Sequence, residues 1–510
     1  MAVQRDEISP SESKDDLADT EANLQSSPDQ CGSTTSINRD QEKPSFIVNW
    51  DGQDDPVCPL NWPFKKKAYT TMVYAFCTFG PQYSSSVFGE ASTDVMRVFG
   101  VSYEVSVIAI TLFLLGVGLG PMLFAPVSEV FGRKIGVLIP FFISAFFAFG
   151  CGAALNVETV MLMRFFQGLF GGAPVSNSGG VLGDIWSPDA RAIALVAYAF
   201  VVACGPTVSP IIGAALTSSG PEGWRWTSYL MGIYTIVMTF VAVFTVDETY
   251  HPVILTRKAQ KLRKTTGNWQ YHSEHEEQEF TFTEISKKHL IRPFRMLFTP
   301  IVAAICGYGS FCFGILYLSV TAVPIVFSEE RGWGRVPAAL PSSAMAIGIM
   351  IGGGMNIMAS RRYSRILKSR GGKALPEERL VVMRIGCFLL PIGLFIFGWT
   401  SSSKFPWIAP CIGLALLSCG FFTIFQGCLN YLVDAFLKYS ASAIAATTFT
   451  RSVLAAAFPL FGRIMFHNLT VAWGASLLGF VAIAMIPIPF IYYRYGEYLR
   501  SKNSYTAQFV

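Results

Sequence analysis

Gly205-Pro206-Thr207-Val208-Ser209-Pro210-Ile211-Ile212-Gly213 lies inside an apolar run from Ala192 to Leu216. That run is long enough to cross a bilayer as one helix, which takes about 20 residues. Proline in a helix interior removes a hydrogen bond and crowds the carbonyl one turn back, at a cost of ~3 kcal/mol. Two prolines four apart, flanked by glycines, would ruin a soluble helix. In a membrane they are tolerated, because neighbouring helices and hydroxyls such as those of Thr207 and Ser209 re-satisfy the freed carbonyls. The stretch therefore reads as a bent span whose small residues allow another helix to approach closely.

The surrounding composition agrees. The chain of 510 residues is 52% hydrophobic and 14% charged, with a mean hydropathy of +0.43; soluble domains carry about 25% charged residues. The charges are segregated: residues 1–55 hold 13 acids and 4 bases, and the rest holds 21 acids and 35 bases. The acidic, Ser- and Asp-rich head cannot bury a core and is expected to be disordered. No apolar stretch of a secretory signal occurs in the first 45 residues. The 11 cysteines contain no C-x-x-C pair and mostly fall in apolar runs, so they read as small buried side chains.

Twelve apolar runs have the length of a span: 68–88, 104–125, 134–155, 159–181, 192–217, 227–246, 297–320, 338–359, 380–400, 406–429, 441–464 and 470–493. A polar stretch separates the sixth from the seventh. The expected organisation is a disordered cytoplasmic tail at 1–60, a six-helix half at 61–250, a cytoplasmic loop at 251–296, a second six-helix half at 297–495 and a short tail at 496–510. With the N-terminus inside, the loops and flanks of that side hold 26 Lys and Arg, against six on the other. The excess of positive charge marks the cytoplasmic side, so both termini are expected there.

Several motif-like strings fail on context. Gly116-Val117-Gly118-Leu119-Gly120 lies inside a span and reads as helix packing, not as a dinucleotide loop. No Walker A lysine motif is present, so ATP bound to this chain is not the expected energy source. His272 and His275, amid Glu274, Glu276 and Glu277, read as a solvated charged loop in preference to a metal site. Asn468-Leu469-Thr470 is a glycosylation sequon in an outside loop, too close to the membrane to be used well.

Four constellations carry chemistry. The loop Ala125-Pro126-Val127-Ser128-Glu129-Val130-Phe131-Gly132-Arg133-Lys134 places a carboxylate beside a glycine turn and two bases. Such a set can lock neighbouring helices through charge-assisted hydrogen bonds. Arg164-Phe165-Phe166-Gln167-Gly168 puts a charge several residues deep in the fourth span, where insertion scales make it cost about 2.5–3.5 kcal/mol unless it faces a cavity or a partner. The proline-bent fifth span is the third. The fourth is a set of flanking strings: Asn61-Trp62-Pro63, Gly183-Asp184-Ile185-Trp186, Trp224-Arg225-Trp226, Asp247-Glu248-Thr249-Tyr250, Arg292-Pro293-Phe294, Tyr431-Leu432-Val433-Asp434 and Phe458-Pro459-Leu460-Phe461.

Together these resemble the major facilitator superfamily, and within it the fungal twelve-span drug:proton antiporters, over about residues 55–500. The 125–134 loop resembles the family's signature loop, with Ala125 where glycine is usual and Val130 where a base is usual. The string at Arg164 and Gln167 is similar to the fourth-helix motif associated with proton coupling. Gly205, Pro206, Pro210 and Gly213 resemble the fifth-helix motif of the family's antiporters, absent from most of its importers.

The resemblance implies an all-α membrane protein of twelve helices in two halves, rocking about a midplane cavity. It implies export of hydrophobic or amphipathic small molecules, a secondary metabolite, toxin or xenobiotic, from a fungal cell across the plasma membrane. The energy source would be the proton gradient, with no cofactor, no metal and no nucleic-acid partner. The expected partners are the small-molecule substrate and the bilayer, and the expected state is a monomer. Glu129, Gly132, Arg133, Lys134, Arg164, Gln167 and Asp184 are the candidate coupling and gating residues. Asp184 is the expected inner proton acceptor, Arg164 an essential cation that lowers the pKa of an acid it pairs with, and Arg451 a structural or substrate-facing charge in the cavity. Spans one, seven and eight carry no acid, which disfavours a polyamine exporter. A small-solute importer and a non-transporting sensor on the same fold are the other readings. An enzyme is not expected, since no histidine cluster, nucleophile elbow or cofactor loop lies near the spans.

Overall fold

The computed structural model describes residues 46–277, 291–369, 376–436 and 440–502. Its long helices are α1 (Phe64–Phe99), α2 (Tyr103–Phe131), α3 (Arg133–Gly152), α4 (Val157–Ile185), α5 (Pro188–Thr217) and α6 (Gly223–Thr245) in the first half. A shorter helix α7 (His251–Thr266) comes next. The second half holds α8 (Pro300–Pro324, continued by a π-helical turn at Ile325–Glu330), α9 (Ser342–Ser369), α10 (Met383–Trp399), α11 (Ile408–Ala435) and α12 (Ser440–Met485), closed by α13 (Pro487–Ser501). Inside a bilayer every backbone polar group needs an internal partner, which is why runs of this composition become helices.

Among the described residues, nine stretches are long and apolar enough to cross a membrane by length and composition alone. α1 and α4 have the length but are too polar, with Gln82 and Ser84 to Ser86 in one and Arg164, Gln167 and Asn177 in the other. The last stretch holds two spans, because α12 is broken at Thr470, where φ is 67° and ψ 159°. Twelve spans result, six to each half.

α1 is longer than its apolar run. The first span is expected at 68–88 and free of acid, yet the helix runs on to Phe99 and carries Glu90 and Asp94 in its final turns. The seventh likewise continues to Glu329 and Glu330. His467, expected in a loop, sits in the last helical turns before the kink, where its Nδ1 lies 2.9 Å from the Arg463 carbonyl oxygen and its Nε2 2.9 Å from Glu329.

Glycines set the helix spacing. A Cβ on Gly116 would lie 2.4 Å from the Phe165 carbonyl oxygen, and one on Gly168 would lie 2.1 Å from that of Phe113. α2 and α4 thus meet backbone to backbone, as expected for a membrane bundle. Large apolar side chains such as Phe146, Phe240, Phe244 and Phe480 point outward and are exposed. Between the halves, α2 packs on α12 and α5 on α9.

Residues 1–45 of the tail expected at 1–60 lie outside the described residues. Residues 46–62 take a fixed course across the near face, the end of the bundle that also bears α7 and α13. His272 donates its backbone N–H to the Phe46 carbonyl at 3.1 Å, and Val48 donates to that of His272 at 2.8 Å. Asp55 accepts the N–H groups of Asp51 and Val57 at 3.1 and 2.9 Å and lies 3.5 Å from Lys258 Nζ. Burial pushes the Asp55 carboxyl up, but these bonds outweigh it and hold it below its ordinary value.

Candidate functional site

The near-face lock is built on one residue of turn. α2 ends at Phe131 and α3 begins at Arg133, with Gly132 between them at φ 99°. That conformation strains any residue with a Cβ, and here the Cβ would also lie 2.4 Å from Glu248 Oε2. Glu248, 6% exposed, closes the start of α3: Oε1 accepts the Arg133 N–H at 2.8 Å and Oε2 that of Lys134 at 3.2 Å. Oε1 also accepts from the N–H groups of Thr249 and Tyr250 at 2.9 and 3.0 Å. A carboxylate is favoured there because the helix N-terminus is electropositive. Lys134 Nζ donates to the Val243 carbonyl at the end of α6, at 2.7 Å.

The Arg133 guanidinium reaches inward. Its Nε donates to Asp184 Oδ2 at 3.2 Å and its Nη1 to Ser128 Oγ at 2.9 Å; Ser128 in turn donates to Asn177 Oδ1 at 2.8 Å. Tyr250 lies under the guanidinium at 4.8 Å from the ring centre, and Glu129 is within electrostatic reach. Arg133 and Asp184, both candidates in the sequence, are thus paired directly, with Glu129 near enough to act on Arg133 only through its charge. Glu248, buried and touching two helices, is a member that the sequence does not reveal. Its string, Asp247-Glu248-Thr249-Tyr250, stands out locally, but nothing in its spacing points to the start of α3, 115 residues earlier.

α5 fulfils half of the repair read from its hydroxyls. Pro210 frees the carbonyl of Pro206, and Ser209 Oγ donates to that oxygen at 3.0 Å. Thr207 instead bonds the Cys204 carbonyl at 3.0 Å, which is not one that either proline frees. The glycines face α1: a Cβ on Gly205 would lie 3.0 Å from Gln82 Cβ, and one on Gly213 would lie 3.1 Å from Glu90 Cγ and from the Val87 carbonyl oxygen. The proline stretch therefore lies along the polar part of α1.

Arg164 is 1% exposed. Its Nη1 donates to Ser84 Oγ at 3.0 Å and to Gln167 Oε1 at 3.2 Å, and its Nη2 to the Ser84 carbonyl at 2.9 Å. Phe88 and Phe113 flank it, with ring centres 4.7 and 4.2 Å away. Gln167 Nε2 completes the set by donating to Ser84 Oγ at 3.1 Å. Arg164 and Gln167 share Ser84, and among the described residues no acid pairs with Arg164. α1 supplies a carbonyl and a hydroxyl in its place.

Other ties join the two halves. Tyr317 Oη donates to Gln82 Oε1 at 3.1 Å and lies 2.7 Å from Ser85 Oγ. Thr111 Oγ1 donates to the Ala456 carbonyl at 2.9 Å. Nearer the far face, Arg335 holds both oxygens of Asp94 at 3.0 Å and reaches the Thr217 carbonyl at 3.5 Å. These ties run from mid-bundle to the far face. The sequence does not disclose them, since hydropathy puts Asp94 beyond the first span. Asn468 is exposed in the last turn before the Thr470 kink. No group of three metal-ligating side chains occurs among the described residues.

A family profile described as Major Facilitator Superfamily matches residues 74–459. Among curated relatives, "Efflux pump bik6" of Gibberella fujikuroi is 41% identical over 90% of this chain and 95% of its own length. "Citrinin biosynthesis cluster MFS transporter mrr1" of Monascus ruber is 41% identical over 94% of this chain and 98% of its own. "Major facilitator superfamily multidrug transporter FLU1" of Candida albicans is 39% identical over 90% and 76%. Among solved structures, the xylose transporter XylE from E. coli, in a partially occluded inward open conformation, aligns with a TM-score of 0.56 at 16% identity, over 84% of this chain and 97% of that one. The human organic anion transporter MFSD10 aligns with a TM-score of 0.56 at 14% identity, over 85% and 100%. These two likenesses carry the fold.

Proposed function

The chain belongs to the Major Facilitator Superfamily of membrane transporters, and from that premise we propose that it is a proton-coupled exporter of hydrophobic or amphipathic small molecules. It sits in the fungal plasma membrane with both termini in the cytoplasm, and its cargo is a secondary metabolite, toxin or xenobiotic. The observation that carries the reading is the seating of the α5 proline stretch on α1, from Gln82 to Glu90. The helix whose sequence resembles an antiporter motif touches the polar span that also binds Arg164 and ties to Tyr317. The naming of relatives as efflux pumps and biosynthesis-cluster transporters supports the same direction.

Arg133 and Asp184 hold the near-face ends of α3 and α4, with Asp184 taking a proton when the lock opens. Arg335 and Asp94 hold the far face. Arg164 never releases a proton; it fixes the backbone of α1 at Ser84, so that movements of α4 are passed to α1. The test is efflux from energised vesicles across a pH gradient, comparing the native protein with Arg164→Ala and Asp184→Asn. Both variants are expected to lose accumulation against a gradient while remaining folded. Native rates in both would remove these residues from coupling, and indifference of the native protein to the pH gradient would remove antiport.

A further inference from the structure

The two arginines deep in the bundle are treated differently. Arg164 is enclosed and hydrogen-bonded. Arg451, about eleven residues into α12 and so near mid-membrane by the helical rise of 1.5 Å per residue, is only half-buried. Among the described residues it makes no hydrogen bond and no ion pair. Its surroundings come from both halves of the protein. Phe313 of α8 and Phe425 of α11 lie with ring centres 5.2 and 5.4 Å from the guanidinium, and the hydroxyls of Tyr198 on α5 and Tyr317 on α8 are within electrostatic reach. A side chain bordered by α5, α8 and α11 and still partly exposed is turned toward the other helices of the bundle, not toward lipid.

A guanidinium stays charged at any relevant pH. Placed at this depth it costs about 2.5–3.5 kcal/mol on insertion scales, and ring faces offset about 0.5–2 kcal/mol of that. The five donors of the fork match a carboxylate in plane. Phe313, Phe421 and Phe425 form one aromatic wall beside it, their ring centres 5.7–6.0 Å apart, suited to a flat apolar body.

We infer that Arg451 is the anchor of a binding site for organic anions, and that the cargo is an aromatic or polycyclic acid whose carboxylate pairs with Arg451 while its rings lie on Phe313 and Phe425. This deepens the exporter reading and rests on it for calling the ligand a cargo. The same fixed cation repels a polyamine, so the site separates the two substrate classes.

The experiment uses the full-length protein in neutral-lipid nanodiscs, with no gradient, and two fluorescent probes of equal shape, 2-naphthoate and 2-naphthamide. The native protein is expected to bind the acid at least tenfold more tightly than the amide. Arg451→Gln loses that preference and keeps the amide affinity, which also reports that it is folded; Arg451→Lys keeps part of it, lacking the planar fork. Equal affinity of the native protein for the two probes, or binding of neither, overturns the inference without any variant. So does Arg451→Gln binding the acid as the native protein does. Vesicle efflux is scored separately: a native protein that prefers the acid but moves nothing defeats the exporter reading and leaves the anion site standing. One that exports a neutral compound without preferring the acid does the reverse.

Discussion

The near face carries two locks, one per half, and they are closed with opposite polarity. In the first half Arg133, at the start of α3, pairs with Asp184, at the end of α4. In the second, Arg379, in the turn before α10, pairs with Asp434 near the end of α11, at 2.7 Å. The tyrosine under the cation is also repeated, Tyr250 at 4.8 Å in one and Tyr363 at 3.6 Å in the other. The closing group beyond the last span of each half differs in sign. After α6 comes an acid, Glu248, which takes backbone N–H groups of α3. On α13, after the twelfth span, comes a base, Arg500, whose guanidinium grips Glu377 at 2.9 and 3.2 Å. The geometry of the lock is what recurs; the charge of the group that closes it does not.

The comparison can be broken most severely at Arg500. Its pair with Glu377 is nearly buried, side chains 10% and 11% exposed, and removing one partner of such a pair costs about 3–5 kcal/mol. Arg500→Gln is expected to lower unfolding stability by that order, seen as a fall in Tm in detergent. Glu248→Gln keeps an acceptor for the Arg133 N–H but loses the charge at a helix N-terminus and the oxygen that takes the Lys134 N–H, together about 1–2 kcal/mol. Equal losses would mean that the two closures work alike. Replacing both Arg500 and Glu377 by apolar residues should recover most of the loss, because a buried pair is weak evidence for net stability.

Gly132→Ala comes next. The strained φ costs about 1–3 kcal/mol, and the new methyl meets Glu248 Oε2 at 2.4 Å. Its effect is therefore expected to shrink in a Glu248→Ala background, which a double-mutant cycle reads directly. Additive losses would show that the turn and the acid are independent.

The two locks also differ in how far the sequence discloses them. The twelve helices are legible because a bilayer forbids most alternatives, and the packing of Gly116 and Gly168 follows from small residues alone. Arg133 and Asp184 can be found because each lies in a string that stands out locally. The second lock cannot: Glu377, Arg379 and Arg500 are ordinary charges in polar flanks, and only the fold brings the last one back over 120 residues. Glu90 and Asp94 are misplaced for the opposite reason. Hydropathy ends the first span just before its acids begin, whereas the helix continues because α5 and Arg335 cover them.

The smaller predictions concern the rim of the first lock. Lys66 and Asp247 pair at the surface, side chains 38% and 65% exposed, and Lys66→Gln should change Tm by no more than about 1 kcal/mol of stability allows. Asp55, which fastens residues 46–62 to α7 through Lys258, has its carboxyl held below the ordinary value. Its contribution is therefore complete above the unfolded value of about 3.9 and is lost as pH falls through the lower folded one. Protection of the 46–62 segment from limited proteolysis should be flat from neutral pH to about 5. A loss of protection between those points would assign the strap to another group.

Thr470 turns α12 back on itself without a loop, a β-branched residue at φ 67° and ψ 159°, where essentially only glycine would sit at ease. The same hydroxyl is the third residue of the sequon that begins at Asn468. Any genetic test for a sugar at this site that alters Thr470 therefore changes two things at once, since Thr470→Gly erases the sequon and relaxes the hinge between the last two spans. A gain in expression or stability from that substitution would say nothing about carbohydrate. Asn468→Gln, exposed and in the turn just before the hinge, is the clean control, and the difference between the two variants measures the strain stored in the corner.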